Sequence, residues 1–214
     1  MSLVMHTMDT QTQTPAGGLY SPAAARNTDV ILGSLAGHLP AHGSVLEIAA
    51  GSGQHAVAAA RAFSGIEWQA TDPSLEALTS IQAWRSDQTL PNLAEPIQVD
   101  MTDANTWPDK VYDAIVCINM IHISPWSATE GLMALAQKVL PLGGLLYLYG
   151  PYKEGDVPLA SSNAAFDESL KSRDPSWGLR DVADVIALAK QHGLRFTRRT
   201  AMPANNISLM FRRF

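Results

Sequence analysis

Cysteine is almost absent from this chain. Cys117 is the one thiol in 214 residues, which excludes an intramolecular disulfide and fits a reducing, cytoplasmic compartment. No apolar run approaches the roughly 20 residues that span a bilayer, and no secretory hydrophobic region opens the chain. Concentrated positive charge is missing too. The formal charge is −5, and lysine and arginine read as scattered, which weighs against duplex nucleic acid or an anionic membrane as partner. The six histidines show no ligand spacing with cysteine or carboxylates, so no metal site is expected. Neither internal repeats nor a nucleophile–histidine–acid triad are found.

What is present is enough apolar material, 46% of residues, to bury one sizeable core. A single domain over 19–214 is expected, preceded by a disordered leader at 1–18 that is rich in Thr, Gln, Met and Gly without a hydrophobic period. Order begins at Ser21-Pro22, a cap residue followed by a proline suited to the first helical position. A helix over about 23–39 follows. Strand-like runs come at 45–48, 67–71, 97–99, 114–119 and 145–149, with helical stretches at 54–63, 74–85 and 128–140. Almost wholly apolar strands such as Ala114-Ile115-Val116-Cys117-Ile118 belong inside a parallel sheet covered on both faces. The alternation predicts an α/β, doubly wound Rossmann-like fold. The tail departs from it: after a helix at 181–192, strands at 194–199 and 207–213 have no helix between them, so the last strand should run antiparallel.

The most informative stretch is Val45-Leu46-Glu47-Ile48-Ala49-Ala50-Gly51-Ser52-Gly53-Gln54-His55. A buried strand delivers Glu47 to the rim of a sheet, and Gly51 and Gly53 let backbone N–H groups approach a ligand while the chain turns into a helix. About 25 positions on, a second strand closes on Asp72. Two acids at the ends of neighbouring strands, flanking a glycine turn, describe a nucleoside-binding crevice.

With these features the chain resembles the class I S-adenosylmethionine-dependent methyltransferases. More narrowly, Ser21-Pro22-Ala23-Ala24-Ala25-Arg26-Asn27, Asn119-Met120-Ile121-His122, Tyr149-Gly150-Pro151-Tyr152, Arg173-Asp174-Pro175-Ser176-Trp177-Gly178 and Pro203-Ala204-Asn205-Asn206 resemble the domain-of-unknown-function 938 family. The resemblance implies a seven-stranded sheet of order 3-2-1-4-5-7-6 with strand 7 antiparallel and helices on both faces. It also implies S-adenosyl-L-methionine as cofactor, with S-adenosyl-L-homocysteine as product. By that likeness Glu47 sits near the methionine portion, Gly51 and Gly53 are loop glycines, and Ala49 replaces a third. Asp72 meets the ribose hydroxyls, Asp100 the adenine amino group with Met101 beside the ring, and the Asn119 carbonyl meets the ammonium.

Further candidates come from position. Arg26 lies on the polar side of the first helix, able to fork onto a carboxylate or to form a surface ion pair. His122, after the fourth strand, is a candidate general base or a loop anchor. The long insertion at 151–178 is read as a substrate-side flap carrying Tyr152, Asn163, Asp167, Arg173 and Trp177, with Asn163 and Asp167 on one helix face. Its mixed aromatic and charged character fits a small polar acceptor. Two rivals stay open: a fold-retaining, non-catalytic binding protein, and a nicotinamide-dependent oxidoreductase, since Gly51-Ser52-Gly53-Gln54-His55-Ala56 fits G-x-G-x-x-A. The latter lacks a Tyr-x-x-x-Lys pair.

Overall fold

The computed structural model describes residues 11–214. Of the segment expected as a leader, residues 1–10 lie outside the described residues, and β1 (Thr12–Gln13) pairs antiparallel with β2 (Leu19–Tyr20). That hairpin is tied down by long-range bonds. The Leu19 N–H donates to Ser80 Oγ at 2.7 Å, and Trp84 Nε1 donates to the Leu19 carbonyl at 3.0 Å.

Helix α1 (Pro22–Ala36) opens as expected, with the Ser21 hydroxyl accepting from the Ala24 N–H. Then come β3 (Gly43–Ile48), α2 (Gln54–Ala62), β4 (Ile66–Asp72), α3 (Leu75–Gln88), β5 (Ile97–Gln98), β6 (Ala114–Ile118), α4 (Trp126–Val139) and β7 (Leu145–Gly150). The chain ends through α5 (Ser161–Arg173), α6 (Val182–Gln191), β8 (Leu194–Met202) and β9 (Asn206–Arg213). Seven strands form one sheet in the order β5-β4-β3-β6-β7-β9-β8. Counted within that sheet this is 3-2-1-4-5-7-6, the order expected, with β9 antiparallel to both its neighbours. All six residues of β7 are buried. Because alternate side chains point to opposite sides, both faces of that strand are covered.

The described residues form two compact units. One comprises residues up to Asp100 with Tyr112–Val116, the other Met101–Val111 with Cys117–Phe214. In the first, β3 and β4 run parallel in a register that sets Val45 opposite Trp68 and Glu47 opposite Ala70. Asn92 gathers the carbonyls of Ala60, Phe63 and Ile66 with one side-chain amide, closing the α2–β4 connection.

In the second unit the insertion contains a full helix, α5, whose buried side is Asn163, Asp167 and Leu170. The shared face inferred for Asn163 and Asp167 is present, and it faces inward. Leu170, Trp177 and Leu179 form a small core with Ile123, Leu159 and Phe166 against it. The β8–β9 hairpin is longer and tighter than expected. It turns through Ala204 and Asn205, both in the left-handed region (φ 56 and 58), as a hairpin turn matched to strand twist requires. Basic residues are also less scattered than supposed: these two strands carry Arg195, Arg198, Arg199, Arg212 and Arg213.

Candidate functional site

In the first unit β3 and β4 set two carboxyl groups on either side of a glycine turn. Glu47 is 1% exposed. Its Oε2 accepts from Trp68 Nε1 at 2.6 Å, while Oε1 has no hydrogen-bond partner among the described residues. Burial raises its pKa to about 7; the Trp68 bond opposes the rise and the Asp72 charge adds to it. Asp72 is equally enclosed. Its Oδ2 accepts from the Gly51 N–H and its Oδ1 from the Ser74 N–H, both at 2.9 Å. Desolvation pushes this carboxyl up, and those two N–H groups pull against it.

The turn between them has an unusual backbone. Ala49, Gly51 and Gly53 all lie at positive φ (54, 57 and 86). A side chain on Gly53 would sit 2.9 Å from Ile81 Cγ1, whereas the space beside Gly51 is open. Ala49 occupies a conformation that costs a non-glycine residue about 1–2 kcal/mol. Beside Gly51 and Asp72 lies a narrow cleft of about 30 Å³, walled also by Gln11, Leu19, Ser74 and Ala77. The N-terminal hairpin therefore borders the cleft, a contact with no local signal in the sequence.

Of the other residues expected in this unit, Asp100 is half-buried and follows β5, and Arg26 is exposed on α1. On that helix Asn27 reaches α2, its Oδ1 lying 2.9 Å from His55 Nε2. Burial lowers the His55 pKa to about 4, so the ring is neutral and donates to Asn27.

In the second unit Met101 is buried against α4. A Cβ on Gly131 would lie 1.8 Å from the Met101 carbonyl oxygen, so that helix needs glycine there. Asn119 adopts φ 63, and its carbonyl accepts from the His122 N–H at 3.0 Å.

The expectation of His122 as a general base finds no geometric support. The ring is fully buried, neither nitrogen has a hydrogen-bond partner among the described residues, and it packs edge-on to Tyr152 at 4.7 Å. Desolvation, with a further push from Arg180, lowers its pKa to about 3. Its main chain does the anchoring instead: the His122 carbonyl accepts from the Gly178 N–H at 3.0 Å.

The five expected substrate residues separate. Tyr152 and Asn163 line a cavity in this unit. Asp167 is committed elsewhere: Oδ2 receives Lys153 and Lys171 at 2.8 and 2.7 Å, and Oδ1 receives the Leu179 N–H at 2.8 Å. Burial raises this carboxyl, but the three donors prevail and hold it at about 2. Trp177 is core, and exposed Arg173 lies over its ring at 5.0 Å. Sequence reasoning missed Arg180, which donates to the carbonyls of Ile121 at 2.9 Å and Ser124 at 2.7 Å. Those partners lie more than fifty positions away, beyond any pattern in the chain.

A family model described as a protein of unknown function, DUF938, matches residues 19–213. The chain belongs to the DUF938 family. Among solved structures this DUF938 protein is similar to an O-methyltransferase family protein from Burkholderia thailandensis, at TM-score 0.76 and 14% identity, over 89% of this chain and 57% of that one. It is similar also to the mitomycin 7-O-methyltransferase MmcR, at TM-score 0.77 and 16% identity, over 90% and 54%. A third is the magnesium protoporphyrin IX methyltransferase from Synechocystis PCC 6803, solved with bound SAH, at TM-score 0.66 and 15% identity, over 88% and 83%. The DUF938 chain thus spans little more than half the length of the first two. The shared element is the class I methyltransferase-like fold.

Proposed function

We propose that this protein is an S-adenosyl-L-methionine-dependent methyltransferase acting on a small-molecule acceptor. The observation that supports it best is Glu47, a buried carboxyl with one oxygen unpartnered, set beside Asp72 at a glycine turn. A carboxyl so enclosed, with no cation beside it among the described residues, is held near pKa 7. A ligand bringing positive charge and N–H donors satisfies it.

In this reading Glu47 receives donors of the methionine portion. Asp72 keeps its two backbone N–H bonds and uses the remaining lone pairs for the ribose hydroxyls, since a carboxylate offers about four acceptor positions. Gly51 leaves room for close backbone approach, and Asp100 takes the adenine amino group. The roles of Met101 and Asn119 rest on the resemblance alone. When bound, the donor supplies an activated methyl group on a cationic sulfur, and displacement at that carbon leaves the thioether product. The chain's residues orient the partners and exclude water. No side chain is assigned as base: an amine or thiolate acceptor needs none, and His122 enters only as a positioning residue.

Calorimetry with S-adenosyl-L-homocysteine, NAD and NADP tests the assignment. Uptake of the first alone is expected, together with transfer of labelled methyl groups into a metabolite extract. Binding of NAD or NADP in its place overturns it.

A further inference from the structure

A cavity of about 250 Å³ in the second unit is not used by the cofactor reading. Two segments singled out in the sequence, around Tyr152 and over Pro203-Ala204-Asn205-Asn206, meet there. Val157, Leu159, Met202 and Ile207 give it an apolar wall.

Hydrogen bonding decides how its amides face. Asn163 Nδ2 donates to the Asn205 carbonyl at 3.0 Å, and Asn206 Nδ2 donates to the Pro203 carbonyl at 3.0 Å. A carbonyl can receive only the nitrogen end of an amide, so both orientations are settled by their partners. Each amide spends its nitrogen on a carbonyl, and among the described residues no hydrogen bond to either Oδ1 is formed; Asn163 is only 7% exposed while lining the cavity. The site therefore presents acceptors.

It presents donors as well. Ala160 and Asn163 bring the first turn of α5 to the cavity. Ala160 at the N-cap has no side chain able to accept, and the first turn holds no acid. Among the described residues no side chain caps that turn, so its N–H groups lack a side-chain acceptor. Charge, by contrast, is cancelled: Arg199 Nε and Nη2 hold the two oxygens of Glu154 at 3.1 and 2.6 Å.

Acceptors beside donors, an apolar wall and no net charge describe the complement of one kind of molecule. We propose that this cavity binds a small neutral compound with an apolar body carrying a donor next to an acceptor, such as a carboxamide. Its volume lies just below the roughly 300–1,000 Å³ of drug-sized ligand clefts, which limits the occupant to a compact molecule. That the occupant is the methyl acceptor rests on the methyl-transfer reading; that it binds does not.

The test titrates the full chain with 4-hydroxybenzamide and with 4-hydroxybenzoate, followed by saturation-transfer NMR and calorimetry. The same titrations use Ala201→Trp, which fills the cavity from an exposed position on β8, and Asn163→Leu, which removes the buried acceptor. The amide is expected to bind at least tenfold more tightly than the acid. Ala201→Trp should weaken it at least tenfold, with circular dichroism and the melting temperature unchanged. Asn163→Leu should reduce the amide's affinity about fivefold or more and leave the acid's unaltered. Equal or preferential binding of the acid overturns the proposal, because the uncapped helix turn would then govern the site. So does absence of amide binding, or amide binding within twofold in Ala201→Trp. S-adenosyl-L-homocysteine binding, measured on the same preparations, fails separately if the donor assignment is wrong.

Discussion

Trp68 Nε1 donates to Glu47 Oε2 at 2.6 Å across the β3–β4 pair, and this single bond leaves the other oxygen of a buried carboxyl unsatisfied. The tryptophan holds the acid in place without neutralising it. A group poised in this way is suited to bind and poorly suited to stabilise.

Glu47→Gln separates those two properties. The native carboxyl keeps its proton up to about pH 7, whereas the unfolded one loses it near 4.5. Between these values the native state binds more protons, so wild-type stability falls as pH rises. The glutamine retains an acceptor for Trp68 and has no such penalty. The variant should match wild type near pH 4.5 and exceed it by on the order of 3 kcal/mol at pH 8, read from urea denaturation at both values. It should also lose at least tenfold in S-adenosyl-L-homocysteine affinity.

Asp72→Ala removes the acceptor proposed for the ribose hydroxyls and also frees the Gly51 and Ser74 N–H groups. Cofactor binding should weaken by about 1.5–3 kcal/mol, typical of bonds to a charged group. Unchanged calorimetric affinity would show that the crevice is not the site.

Ala49→Gly should stabilise the fold. Left-handed backbone costs alanine about 1–2 kcal/mol, and glycine returns about 0.5–1 kcal/mol of that through its freer unfolded chain. A net gain of about 0.5–1 kcal/mol is expected, seen as a higher denaturation midpoint at unchanged slope.

Asp167→Ala leaves two ammonium groups facing each other and the Leu179 N–H without an acceptor. A loss of about 2–3 kcal/mol is expected. If Asp167 instead contacts substrate directly, turnover falls while the melting temperature stays put.

His122→Phe tests the sealed ring. Replacing an unpartnered polar group by an apolar one of similar shape is nearly neutral or stabilising, so stability within about 1 kcal/mol of wild type is expected. Methyl transfer at wild-type rate would accompany it. A collapse of turnover in a stable variant would restore the histidine to the chemistry.

The sequence by itself determined the alternation of strands and helices, the antiparallel last strand and the acid–glycine-turn–acid layout around Glu47, Gly51 and Asp72, whereas the strand order followed only from the family resemblance. The former features are written in apolar periodicity, caps and turns, whose determinants lie within a few residues of one another. It could not say what each polar side chain would meet. Only the tertiary structure decided that Glu47 faces Trp68, 21 positions on, that Asp167 serves two lysines and the Leu179 N–H, and that Asn163 reaches the Asn205 carbonyl 42 positions away. It also ordered part of a segment read as leader, through Ser80 and Trp84. A side chain's chemistry follows from its burial and its partner, and both are set where distant parts of the chain converge.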